Sequence, residues 1–131
     1  VSMRGPRGAF HLIPSQAPVR CIATSTGIAP FRSMIHDLLE VRGHINPVTL
    51  VSIAPTEDEL LMNEEFSQLA LQYNNFSYQR VTDLADYFTR MTITEGENIY
   101  LCGGPNFLQD IKTLLLQKNV PPERIRFEEF K

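Results

Sequence analysis

Two short stretches carry residue types suited to holding a flat, phosphorylated ligand. The first is Thr24-Ser25-Thr26-Gly27-Ile28-Ala29-Pro30, made of small residues and ending in a proline that suits the first position of a helix. A strand-to-helix turn of this composition offers backbone N–H groups and the positive end of a helix dipole to a phosphate or ribose. It is neither G-x-G-x-x-G nor a phosphate loop with Gly-Lys-Ser/Thr, so the residues alone leave two readings, ligand contact or a plain tight turn. The second stretch is Tyr100-Leu101-Cys102-Gly103-Gly104-Pro105-Asn106-Phe107. Its two glycines admit the close approach of another backbone or a planar ring beside Cys102. Here too a bland reading stands beside the functional one, a small buried residue ahead of a helix-opening Gly/Pro turn. Hydrolase chemistry fits poorly, because Ser25 and Thr26 sit in no G-x-S-x-G elbow and have no obvious histidine partner. His11, His36 and His44 have no second ligand at helical spacing and are expected to be structural or exposed.

Both stretches follow strands in a chain whose hydrophobic period switches repeatedly between two and 3.6. Residues 19–23 read as a buried strand. Phe31, Met34, Ile35, Leu38 and Leu39 then fall on one helical face, closed by Gly43. Residues 47–54 form a continuous apolar strand. Residues 58–73 are amphipathic, with Leu61, Met62, Phe66, Leu69 and Ala70 on the inner stripe. Strands are expected over 76–81, 98–102 and 125–127, with a short helix at 84–91 and a longer one burying Phe107, Leu108, Ile111, Leu114 and Leu115. Residues 9–13 predict a further short strand, and residues 14–18 a Pro/Ser/Gln/Pro joint. Strands without clear alternation, separated by helices, predict an α/β fold: three layers around a Rossmann-like parallel sheet of about five strands. Ligands of such sheets lie beyond the carboxyl ends of the strands, near the reversal of strand order. Chemistry is therefore expected just after Ala23, Ala54, Val81, Cys102 and Phe127.

Length and charge narrow the classes. A chain of 131 residues with 43% hydrophobic content fits one globular domain, and a net charge of −3 leaves no electrostatic footprint for nucleic acid. No run of about 18 apolar residues marks a transmembrane helix. Cys21 and Cys102 are too few for a disulfide framework or a metal site of the usual spacing, so no metal is expected and a reducing, cytoplasmic setting is. Without an initial Met, Val1 is expected to be the edge of a piece of a longer protein.

Five segments, taken in order, resemble one family. Gly-Ile-Ala-Pro-Phe-Arg-Ser-Met-Ile at 27–35 and Leu-Cys-Gly-Gly-Pro at 101–105 are similar to the G-[TG]-G-I-[AT]-P and C-G-x-x loops of the ferredoxin–NADP⁺ reductase-like flavoenzymes. Gly5-Pro6-x-Gly8-x-Phe10-x-Leu12 resembles the end of that family's flavin barrel. Pro55-Thr56, Leu60-Leu61 and Glu64-Glu65-Phe66 resemble its P-T-x-x-x-L-L-Y-K-E-E-F run. Phe127-Glu128-Glu129-Phe130 resembles its closing segment. The resemblance spans the whole chain.

The resemblance implies a flavin-barrel remnant with linker over residues 1–17 and a dinucleotide-binding domain over 18–131. It implies hydride passing from NAD(P)H to FAD, then electrons to an iron–sulfur, haem or oxygenase partner protein or domain. The loop from Thr24 through Ser25, Thr26, Gly27, Ile28 and Ala29 to Pro30 would hold ribose and pyrophosphate. Ala54, Pro55, Thr56 and Asp83 would line the adenosine side. Gly103, Gly104 and Pro105 would let the dinucleotide approach. Cys102 would lie beside the nicotinamide, and Glu128 and Phe130 near the flavin, as the residues closest to catalysis. By the same resemblance the strands bearing Cys21 and Cys102 are parallel neighbours. Their offset of a few residues, about 3.3 Å each, exceeds comfortable disulfide reach, so both are expected to be free thiols.

Departures from the family pattern matter as much. Ser25 stands where the first glycine of the loop belongs, Met62 where a tyrosine stacks on adenine, and Asn63 where the family has lysine. Thr82-Asp83 replaces the Ser-Arg pair that grips a 2′-phosphate, and Glu57, Asp58 and Asp83 would repel such a group. NAD(H) is therefore expected over NADP(H), with Arg80 as a rescuing cation should it turn outward. The flavin-binding signature is missing, so FAD belongs to the longer protein. A non-catalytic nucleotide-sensing module that keeps the fold is the competing reading.

Overall fold

The structure, a computed structural model, describes residues 17–24, 28–53, 63–93 and 96–129. Strands and helices alternate as β1 (Val19–Thr24), α1 (Ala29–His36), β2 (Val48–Ile53), α2 (Asn63–Gln72), β3 (Phe76–Val81), α3 (Leu84–Arg90), β4 (Asn98–Gly103), α4 (Pro105–Gln117) and β5 (Ile125–Glu129). Every pairing is parallel, and the strand order is β3-β2-β1-β4-β5. The chain winds outward from β1 to β3, returns to the other side of β1, and winds outward again. Strand order thus reverses between β1 and β4, the pattern of a doubly wound sheet.

Alternation along β1 and β4 sends successive side chains to opposite faces, and each face is covered. Cys21, Ala23, Tyr100 and Cys102 pack with Phe31, Met34, Ile35, Leu38 and Leu39, and with Phe66 and Leu69 of α2. Ile22, Val51, Ile99 and Leu101 face the other way, against Phe88 of α3 and Leu108, Ile111 and Leu115 of α4. Burying each such large side chain stabilises the fold by about 1.5–3 kcal/mol. β4 is buried along its whole length, whereas the edge strand β3 exposes Ser77, Gln79 and Arg80. The expected α/β class and five parallel strands are observed.

One element differs from expectation. The first helix ends at His36 and continues as a wide π turn, Asp37–Val41, in which the Arg42 N–H donates to the Asp37 carbonyl at 2.9 Å. That turn keeps adjacent Leu38 and Leu39 buried together, and Gly43 follows in the left-handed region at φ +62°. The second helix is described from Asn63, and residues 58–62 of its expected span, with Leu61 and Met62, lie outside the described ones. So does the strand expected over 9–13.

Both cysteines are free and fully buried. Cys21 stands opposite Tyr100 and Cys102 opposite Ala23, so they sit on neighbouring strands, two residues out of step. Burial pushes the Cys21 thiol well up.

A polar clamp joins α1 and α2. His36 Nε2 lies 2.9 Å from Glu65 Oε2, and Nδ1 lies 3.3 Å from Glu40 Oε2. Arg32 Nε also donates to both Glu65 oxygens, at 2.9 and 2.8 Å. Carboxylates only accept, so both contacts require a doubly protonated ring. The hydrogen bond to Glu65 raises the His36 pKa against a smaller opposing effect of burial, and Glu40 raises it further. Burial would push Glu65 up, but His36 and Arg32 together hold it below its ordinary value.

A raised histidine stabilises the fold fully below its ordinary value of 6.5 and loses that contribution as pH rises through the folded value. The lowered Glu65 contributes above 4.5 and loses its contribution as pH falls through its folded value, so the clamp is strongest between these limits. Replacing Glu65→Gln should cost up to about 1 kcal/mol near pH 6, as for a partly exposed ion pair. The cost should be smaller at pH 8.5. Denaturant melts of both proteins at the two pH values test this; an equal difference at both would refute it.

Candidate functional site

Because all five strands are parallel, their carboxyl ends meet at one edge. Val81 lies opposite Ile53, which lies opposite Thr24; Ala23 lies opposite Cys102, which lies opposite Glu128. This register brings Thr24, Cys102, Gly103 and Glu128 to that edge. The helices opening there bring Ile28, Ala29, Pro30, Gly104 and Pro105 with them, and Asp83 follows β3. Ser25, Thr26, Gly27, Ala54, Pro55, Thr56 and Phe130 lie outside the described residues, and for Ala29 and Glu128 only the backbone is described.

The helix N-termini at this edge differ in charge. α1 starts after Ile28, a fully buried residue that makes no side-chain cap, and its first turn holds no acid. α4 starts after Gly104, again with no side-chain cap and no acid in the first turn. These are the two helices that follow β1 and β4, the strands flanking the reversal. Pro30 and Pro105 carry no N–H, and the Phe31 N–H already donates to the Ile28 carbonyl at 3.0 Å, so what both ends present to an anion is chiefly the positive end of the helix dipole. The other two helices are already occupied by acid: Glu64 and Glu65 lie in the first turn of α2, and Asp83 caps α3, accepting from the Asp86 N–H at 3.0 Å.

The paired glycines have different reasons. A Cβ on Gly103 would lie 2.4 Å from the Phe107 ring, so this position is closed by the first turn of α4. A Cβ on Gly104 would meet nothing within 4 Å among the described residues, and its φ of −77° suits any residue. Bare backbone facing open space at the mouth of the reversal is what a flat or phosphorylated ligand needs. Cys102, by contrast, is completely buried among Cys21, Ala23 and Tyr100.

Beside β3, Arg80 is exposed, and together with Thr82, Asp83, Asp86, Tyr87 and Arg90 it borders an open cavity of about 480 Å³ between β3 and α3. Arg20 and Tyr87, which also border this cavity, were not singled out from the sequence. The available signal was a charge inside an otherwise apolar strand, Val19-Arg20-Cys21-Ile22-Ala23. Among the described residues no cluster of metal-ligating side chains occurs, and no helix is long and apolar enough to cross a membrane.

The family model described as the oxidoreductase NAD-binding domain matches residues 21–113, from the middle of β1 into α4. The chain belongs to this family. Its fold is that of the corresponding part of solved ferredoxin–NADP⁺ reductases. It is 30% identical, over 96% of its length, to the 2-halobenzoate 1,2-dioxygenase electron transfer component of Burkholderia cepacia. It is 28% identical, over 99% of its length, to the toluate 1,2-dioxygenase electron transfer component of Pseudomonas putida. The chain spans only 41% and 42% of these two curated relatives. The FAD/NAD-binding domain of a nitric oxide dioxygenase from Vibrio cholerae shares the fold, with a TM-score of 0.79, 24% identity, and coverage of 94% of this chain and 55% of that one.

The two glycines should respond differently to the same substitution. Gly103→Ala should destabilise the NAD-binding domain by about 1–3 kcal/mol, as overpacking does, and Gly104→Ala by less than about 0.5 kcal/mol. Thermal melts of the two variants check this; equal losses would show that Gly104 too is needed for packing.

Proposed function

We propose that this chain is the dinucleotide-holding domain of a NAD(P)H-dependent flavin oxidoreductase, which delivers electrons to a separate redox protein or domain. The observation that carries this reading is the pair of uncapped, acid-free N-termini of α1 and α4 on either side of the strand-order reversal, with open space in front of Gly104. A pyrophosphate spanning that crevice would face the positive ends of both helix dipoles. Membership of the NAD-binding family supports the ligand, and the electron transfer components among the relatives support the partner. Residues 1–17 then close the flavin barrel, and residues 18–131 form the dinucleotide domain. The free thiols favour a reducing, cytoplasmic setting.

Each site residue takes a role in this scheme. The loop Thr24, Ser25, Thr26, Gly27, Ile28, Ala29 and Pro30 holds ribose and pyrophosphate, and Gly104 and Pro105 admit the nicotinamide half. Cys102 and Gly103 set the height of the floor on which the ring rests. Glu128, paired in register with Cys102, and Phe130 border the flavin side. Ala54, Pro55 and Thr56 flank the adenosine. When bound, the nicotinamide supplies the hydride and the flavin of the longer protein accepts it; the protein's part is placement. Asp83 and Asp86 put negative charge at the end of β3, where a 2′-phosphate would sit, so NADH is the preferred donor despite exposed Arg80. The full burial of Cys102 favours one second reading, a module that binds a nucleotide without catalysis.

Anaerobic mixing of the FAD-loaded full-length protein with NADH and with NADPH separates these readings. Flavin bleaching should be faster with NADH at low concentration, with a preference of about tenfold or more, the worth of about 1.4 kcal/mol. Gly104→Ala should raise the NADH concentration for half-maximal rate. Absence of bleaching by either donor, with FAD bound, would favour the non-catalytic module.

A further inference from the structure

One guanidinium in the middle of the sheet holds three separate parts of the chain. Arg20, the second residue of β1, has a side chain only 11% exposed. Its Nε donates to Glu97, its Nη1 to the Tyr87 hydroxyl, and its Nη2 to the Thr92 carbonyl at 3.3 Å. Glu97, just ahead of β4, is 3% exposed and balances the charge. Tyr87 lies in α3, and Thr92 lies in the segment that follows it.

The helix so held is otherwise tied by the packing of Leu84 and Phe88 on the core and, just past its end, by Lys118 Nζ donating to the Met91 carbonyl at 3.3 Å. α3 is seven residues long, too short to persist alone, and it fully buries one side chain, Phe88. Its remaining ion pair, Arg90 Nε to Asp86 Oδ1 at 3.1 Å, is exposed and internal to the helix. Burial pushes the Tyr87 hydroxyl up, against an opposing effect of Arg20, so the ring stays neutral and accepts from the guanidinium. At its other end α3 begins on Asp83, whose carboxylate caps it. The place of that carboxylate beyond β3 is therefore the place of α3.

We infer that Arg20 and Tyr87 are positioning residues for dinucleotide choice: through α3 they fix where Asp83 stands, and so set the discrimination between a ribose 2′-hydroxyl and a 2′-phosphate. This inference rests on the proposed dinucleotide function and deepens it. Neither residue needs to touch the ligand. Three of the Arg20 N–H groups are taken by Glu97, Tyr87 and Thr92, and Tyr87 borders the cavity beside β3. Removing the Tyr87 hydroxyl releases α3 from Arg20 without disturbing the Arg20–Glu97 pair.

The test uses the FAD-loaded full-length protein with Tyr87→Phe, and with Asp83→Ser as its reference. Half-saturating concentrations of NADH and NADPH, and the bleaching rate at saturation, are measured for each. Tyr87→Phe should move the ratio of the two half-saturating concentrations toward NADPH by about three- to tenfold, the scale of displacing one charge near a solvated anion. The saturating rate should change less than the ratio does. A lowered melting temperature with an unchanged ratio would mean that the strap is only structural, and would overturn the inference. If Asp83→Ser shifts the ratio and Tyr87→Phe does not, the inference fails while the dinucleotide reading stands. If wild type is bleached by neither donor, both fail together.

Discussion

The pairing of β1 with β4, from Val19 opposite Asn98 to Ala23 opposite Cys102, is the constraint on which the other features of this domain depend. It places the fourth strand beside the first instead of beyond the third, and so creates the reversal. It also makes the two central strands neighbours, which demands residues that are apolar on both faces. The sequences Cys21-Ile22-Ala23 and Ile99-Tyr100-Leu101-Cys102 meet that demand. With the central pair fixed, parallel pairing leaves no freedom in where the strand ends fall, and the loops that carry polar work are gathered at one edge.

Charge is partitioned along that edge in keeping with the topology. The helices nearest the reversal have bare N-termini, and the outer ones on the β3 side carry acid at theirs. The same four helices serve as the two covering layers, so the electrostatic pattern requires no element beyond those that bury the sheet.

Much of this arrangement could be read from residue order, for reasons that particular residues make plain. The strand end at Val81 is marked by a change of period and the start of α1 by Pro30 following small residues, while β4 runs one residue past its expected end at Cys102. The π turn was not visible, because Phe31, Met34, Ile35, Leu38 and Leu39 satisfy the periodicity of an unbroken α helix equally well. Gly103 and Gly104 look alike as letters; only the Phe107 ring distinguishes the one closed by packing from the one left open. Arg20 was hidden for another reason. Its partners at 87, 92 and 97 come together only when α3 has folded back over the sheet, and no local rule connects them.

The burial of the two thiols gives the domain an intrinsic clock. In the closed fold neither sulfur meets solvent, and the raised Cys21 thiol supplies almost no thiolate, the species that alkylating reagents attack. Labelling must therefore wait until the central strands separate. Cys21 lies mid-strand and Cys102 near the strand's end, so the first reports rupture of the sheet itself and the second the loosening of its working edge. Two chemically identical probes on adjacent strands thus measure global opening and local opening of the same domain.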